Sequence, residues 1–335
     1  MEKYFPRMSA TRFRTLGVLD RLQDLHLPKV PYMQILIART YLTFDYRFPV
    51  RTTVTIDGLE KLDHRQPFLM AMNHTDRFNY APFMVHLDRL GLPPLAPWVK
   101  GKYYRKAWLA KLLISCACTP VPSRGFLLTL DWVARMARNL EDEEYRQLRR
   151  IGDGEALEDE LLPGVAEYLA QAPGGGREDF FPLFQEHFES LSAALVRINV
   201  EALELGYRPL IFPQGTRSKR LTPGFSGIVQ MALHLKVPIL PVAVSGSDLI
   251  YPGDSSRSKG GHVHYKVGDL YDPSSEPDAP SGFLPLTIAA SRDHGPAFKE
   301  LTSNLMDRLN DLLPEEYQYD PAGLANTRTG ARRFL

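Results

Sequence analysis

Short apolar, β-rich runs alternate with stretches of helical spacing along most of the chain. The runs FLMAMN (68–73), LAPWVK (95–100), PLIFP (209–213) and ILPVAVSG (239–246) are almost continuously apolar. A half-exposed strand alternates polar and apolar residues, so several of these runs predict strands covered on both faces. VTIDGLE (54–60) and HVHYKVGDL (262–270) read as further strands. Between them, YAPFMVHLDRLG (80–91), KAWLAKLLISC (106–116), FLLTLDWVARMARNL (126–140) and GIVQMALHLK (227–236) carry helical spacing and occupy crossover positions. The pattern predicts an α/β fold, a mixed and mostly parallel sheet flanked by helices, in one domain over 51–320.

The rhythm breaks at about 141–182, a highly charged stretch that ends near Gly174, Gly175 and Gly176. It reads as a partly helical surface insertion; the glycines lack the Lys and Ser/Thr of a phosphate loop and read as a linker. A last helix is expected from Pro296 to Tyr317, followed by a flexible tail over 321–335.

Residues 1–50 form an N-terminal helical segment. Lys3, Arg7, Arg12, Arg14 and Arg21 outweigh Glu2 and Asp20 there, a balance suited to an anionic membrane surface. The run VPYMQILIARTYLTF (30–44) is too short to span a bilayer and contains Arg39, so it lies on a membrane or packs as an ordinary helix. No secretory signal is visible, and the two cysteines, Cys116 and Cys118, read as reduced, packed thiols. The expected location is therefore cytoplasmic, peripheral or monotopic on the membrane. Forty Lys plus Arg against thirty-nine Asp plus Glu argue against a dedicated nucleic-acid binder.

Three strand ends carry candidate chemistry. His74 follows FLMAMN, at the carboxyl end where open α/β sheets place their sites. PLIFPQGTRSKR (209–220) ends in a glycine and then Thr216, Arg217 and Ser218, which offer close backbone approach and donors suited to phosphate. CTPVPSRG puts Arg124 at another strand end, and two such arginines suggest an anionic ligand. His262 and His264 share one strand face but lack an evident third metal ligand, so they read as structural.

Together these segments resemble the glycerolphosphate acyltransferase superfamily, enzymes similar to lysophosphatidic acid acyltransferase, over roughly Val54 to Tyr317. The family's first motif is Asn-His, four further residues and then Asp; Asn73 and His74 match it, and Asn79 stands at the Asp. Its Phe-Pro-Glu-Gly-Thr-Arg-Ser motif is matched by Phe212, Pro213, Gly215, Thr216, Arg217 and Ser218, with Gln214 at the Glu. Arg124 looks like the arginine of the intervening motif, and VPILPVAVSG like the last, hydrophobic one. The resemblance implies a single acyltransferase domain in which His74 is the general base. The hydroxyl of a lysophospholipid acceptor attacks an acyl-CoA or acyl-carrier-protein thioester, without metal or other cofactor. Asn73, Arg124, Gln214, Gly215, Thr216, Arg217 and Ser218 would then bind substrate, with the two arginines on its phosphate. Lipid metabolism and phospholipid biosynthesis would be the setting.

The departures are specific. Both acids of the pattern are amides here, Asn79 and Gln214. Asn79 can still accept from the imidazole but cannot balance an imidazolium. Asp76 is a substitute carboxylate near His74, although its position favours the N-cap of the following helix. Phe225 replaces a common lysine. An active transferase and a lipid-binding scaffold that has lost turnover both remain open. If Asn79 merely orients more weakly, Asn79→Asp is expected to keep or raise kcat.

Overall fold

The computed structural model describes residue 13 and residues 17–62, 66–155, 160–253 and 255–320. The expectations for Lys3, Arg7, Arg12, Arg14 and the 321–335 tail lie outside the described residues.

Among those residues seven strands form one sheet: β1 (Thr52–Asp57), β2 (Leu69–Met72), β3 (Leu95–Lys100), β4 (Thr119–Val121), β5 (Arg208–Ile211), β6 (Ile239–Ser245) and β7 (Gly261–Val267). Their order is β1-β7-β6-β2-β5-β3-β4, parallel throughout except between β6 and β7. β2 lies between β6 and β5 in the middle of the sheet, with Met72 opposite Val242 and Met70 opposite Leu210. Because side chains alternate along a strand, its four apolar residues serve two cores. Met70 and Met72 pack with Phe83, Leu240 and Val242, while Leu69 and Ala71 pack with Ile228, Met231 and Leu305. A polar residue in β2 would be stranded on either face.

Crossovers supply the helices. The first segment runs through α1 (Tyr32–Ile37), a π-helical turn (Ala38–Leu42) and α2 (Thr43–Asp45). α3 (Ala81–Leu90) has Pro82 in its first turn and stops at Gly91, whose φ of 66° is left-handed. α4 (Ala107–Ser115) and α5 (Arg124–Met136) flank β4, and α9 (Gly227–Leu235) and the short α10 (Ser247–Ile250) flank β6. The last helix, α11 (Ile288–Leu312), starts well before the expected Pro296, because the Thr287 side chain caps it by accepting from Ala290 N at 3.1 Å.

The stretch at 141–182 is largely helical, and its apolar residues join the core cluster that also holds α5 and Ala96 of β3. α6 (Asp142–Gly152), α7 (Pro163–Gln171) and the 28-residue α8 (Arg177–Glu204) pack Tyr145, Leu148, Tyr168, Phe180 and Phe184 against Trp132 of α5. Trp132 and Tyr168 stack at 5.1 Å. The charges that dominate this stretch are the wet faces of amphipathic helices. Gly174 and Gly175 take positive φ in the turn before α8.

The parallel topology brings the carboxyl ends of β2, β5, β3 and β4 to one edge of the sheet. His74, Gln214 and Arg124 follow those ends, and Lys100 is the last residue of β3.

Candidate active site

The chain leaves β2 under tight control. The Asn73 carboxamide donates from Nδ2 to the Val244 carbonyl at 2.9 Å and accepts from Val244 N at 2.7 Å through Oδ1. With 2% exposure it pins the loop to β6. Its side chain performs the pairing that a fifth strand residue would otherwise supply.

Asp76 requires a correction. It does not cap α3, whose N-cap is Tyr80. Instead, Oδ1 accepts from Phe78 N at 2.8 Å, closing a turn two residues on, and Oδ2 accepts from the Thr75 hydroxyl at 2.9 Å. Helix start and loop turn use the same residue types, and the loop is longer than the spacing implied. Burial pushes this carboxyl above its ordinary range, opposed by the neighbouring Ser247 hydroxyl and the Phe78 amide. Among the described residues it makes no hydrogen bond to the imidazole.

The side chain against the imidazole is that of Asn79, fully buried, and its bonding follows from one fixed point. Asn79 Nδ2 lies 2.6 Å from the Asn73 carbonyl oxygen, which can only accept. The NH2 must therefore face that oxygen, leaving Oδ1 toward His74 Nδ1 at 3.4 Å. Oδ1 can only accept in turn, so Nδ1 carries the proton. The lone pair is left on Nε2, which no hydrogen bond engages among the described residues. Backbone geometry thus sets the tautomer that a base needs.

Gln214 is read the same way. His74 N donates to its Oε1 at 2.8 Å, and its Nε2 donates to the Arg220 carbonyl and Thr222 Oγ1, both at 3.3 Å. At 2% exposure it is enclosed by these partners. A second tie joins the same loops, Ser218 N donating to the His74 carbonyl at 2.8 Å. Gly215 has φ of 64°, a left-handed conformation that favours glycine, and the exposed Phe225 ring lies over its open side. Thr216 and Ser218 are partly buried and Arg217 is exposed.

The imidazole stacks on Phe212 with centroids 4.3 Å apart. Burial draws its pKa down to about 4; the Asn79 bond opposes this, while the positive charges of Lys100 and Arg217 push the same way. The imidazole is consequently neutral near pH 7. Lys100 was read only as the end of a strand; its signal was a cation at the carboxyl terminus of a parallel strand two places from β2. Arg124 is placed differently. It stands three strand positions from β2, about 14 Å at normal strand spacing. Its Nη1 donates to Asp153 of the insertion at 2.7 Å, and Arg149 Nε reaches the other oxygen of that carboxylate at 2.7 Å.

The remaining candidates lie elsewhere. His262 Nε2 meets Thr55 Oγ1 at 2.9 Å and His264 Nε2 meets Asp57 Oδ2 at 2.7 Å, across the β1–β7 pair. Burial lifts the Cys116 thiol to about 11 and the Cys118 thiol higher still.

Comparison with known proteins finds two partial likenesses. A 1-acyl-sn-glycerol-3-phosphate acyltransferase of Cocos nucifera is 34% identical over 74 residues. The match spans 22% of this chain and 22% of that relative. Among solved structures, the crystal structure of the 1-acyl-sn-glycerophosphate (LPA) acyltransferase PlsC from Thermotoga maritima superposes with a TM-score of 0.40 at 14% identity, over 89% of this chain and 88% of that one. No protein-family model matches.

Proposed function

We propose that this protein is an O-acyltransferase that moves a fatty acyl group from an acyl thioester, acyl-CoA or acyl carrier protein, to a hydroxyl of a phosphate-bearing lyso-glycerolipid such as lysophosphatidic acid. The observation that carries the reading is the relay from the Asn73 carbonyl through Asn79 to His74, which leaves Nε2 as an acceptor beside the loop of Arg217.

In this reading Nε2 takes the acceptor's hydroxyl proton while the oxygen attacks the thioester carbonyl carbon. The tetrahedral intermediate collapses by breaking the C–S bond, and Nε2–H returns the proton to the departing sulfur. The products are an ester and a free thiol, and the base is regenerated. Magnitudes decide the timing. A neutral imidazole is a far weaker base than an alkoxide, so a separate step that strips the proton from an alcohol would be steeply uphill. Proton transfer is therefore concerted with attack, when the forming C–O bond makes the hydroxyl acidic. The neutral orienter fits this demand, because no long-lived imidazolium needs a carboxylate.

Arg217, with Lys100 on the adjoining strand end, supplies the positive potential for the acceptor phosphate. The substrate is a lipid, and the helical segment 32–45 offers a surface for meeting it. Tyr32, Leu36 and Phe44 are exposed at multiples of four residues, Phe48 continues the stripe, and Trp108 of α4 adds to it. No helix among the described residues is long and apolar enough to cross a membrane.

The test is thiol release and lipid-product mass spectrometry with purified protein, a panel of acyl thioesters and lysophospholipid vesicles, wild type against His74→Ala. Release that falls by about 10²–10⁴ in the variant supports the assignment. No release with any pair would instead favour a lipid-binding scaffold.

A further inference from the structure

We infer that Gln214 is a positioning residue that fixes the distance between the base and the acceptor phosphate, and that it does so as an amide. The inference rests on acyl transfer to a phosphate-bearing acceptor. Such a molecule presents a hydroxyl and a phosphate at a separation set by its own skeleton. In the protein the hydroxyl belongs to the loop of His74 and the phosphate to the loop of Arg217. Gln214 is bonded to both: its carbonyl accepts from His74 N, and its NH2 donates to the Arg220 carbonyl and Thr222 hydroxyl.

The orientation is determined at both ends. A backbone N–H can only donate and a backbone carbonyl can only accept, so no flipped amide satisfies the two together. A carboxylate would serve the His74 end at least as well, because the bond becomes charge-assisted. It fails at the other end, where an anionic oxygen would stand about 3.3 Å from the Arg220 carbonyl. The Thr222 hydroxyl can rotate to donate; the Arg220 carbonyl cannot. Gln214→Glu should therefore release the anion-binding loop while keeping the base loop. A protonated carboxylic acid regains one donor, which can serve the Arg220 carbonyl while the Thr222 hydroxyl turns to donate, so the defect should recede as pH falls.

The experiment compares wild type, Gln214→Glu and Gln214→Met in steady-state kinetics at pH 5–8 and in amide hydrogen exchange of the 73–78 and 216–222 segments. Gln214→Glu at pH 8 is expected to raise KM for the phosphate-bearing acceptor about tenfold and change kcat by less than about threefold, with recovery toward pH 5. Gln214→Met should lose kcat as well, without pH recovery. Exchange should quicken over 216–222 in both variants, and over 73–78 in the methionine variant alone. Wild-type KM and exchange in Gln214→Glu at pH 8, or a defect independent of pH, overturns the inference. If the wild-type protein transfers no acyl group, the acyl-transfer reading falls, and the exchange pattern alone decides whether Gln214 couples the loops.

Discussion

Asn79 and His74 are joined as amide to imidazole, Oδ1 to Nδ1 at 3.4 Å, with the amide held from behind by the Asn73 carbonyl at 2.6 Å. An aspartate at position 79 would turn an anionic oxygen toward that carbonyl, or rotate and give up its line to the imidazole. This revises the expectation drawn from the motif. Asn79→Asp should lower kcat about tenfold or more at pH 8 and lower the melting temperature; equal or higher kcat would show that Asn73 O is readily displaced.

The acid limb of the pH–rate profile should lie near pH 4, well below the 6.5 of an ordinary histidine. The sign follows from the base being active when neutral: with its pKa lowered, it stays neutral until pH approaches 4. Between pH 6.5 and 4 the unfolded chain binds a proton that the folded chain refuses, so His74 contributes a loss of stability as pH falls through that window. Kinetics and urea unfolding at matched pH values measure the two effects separately.

Asn73→Leu should cost about 2–4 kcal/mol of stability, because it leaves Val244 N and O buried without the partners now at 2.7 and 2.9 Å. Denaturant unfolding measures it. A change under about 0.5 kcal/mol would mean that β6 finds other partners.

Leu36→Asp combined with Phe44→Asp should weaken binding to anionic phospholipid vesicles by more than tenfold, since each apolar side chain that leaves the interface forfeits about 1.5–3 kcal/mol. Co-sedimentation at fixed salt reads the loss. Arg217→Ala should raise KM for a phosphate-bearing acceptor more than for its dephosphorylated analogue, and added salt should narrow the difference.

Much of the sheet was legible because its strands are buried on both faces. FLMAMN and ILPVAVSG admit no wet side, and their boundaries fall within a residue or two of β2 and β6. Helix starts were less legible where capping decides them: Thr287 sets the start of α11, whereas Pro296 is the louder signal. Asp76 has the residue type that both caps and turns use, and only the loop's length separates the two roles. The motifs gathered His74, Asn79 and Gln214 into one place. They did not disclose that Asn73 and Gln214 face inward, because whether an amide meets ligand or backbone depends on neighbours far along the chain. Lys100 went unread for the same reason: its importance comes from strand order, which no local spacing encodes.

The Asp153 carboxylate is held between Arg124 and Arg149. The insertion thus places a stationary anion at the guanidinium that the motif would offer to substrate. A phosphate arriving there exchanges with an oxygen already bonded, so its gain is the difference between two similar contacts. Arg124 thereby becomes a structural seam, joining the insertion to the end of β4 at the far side of the sheet.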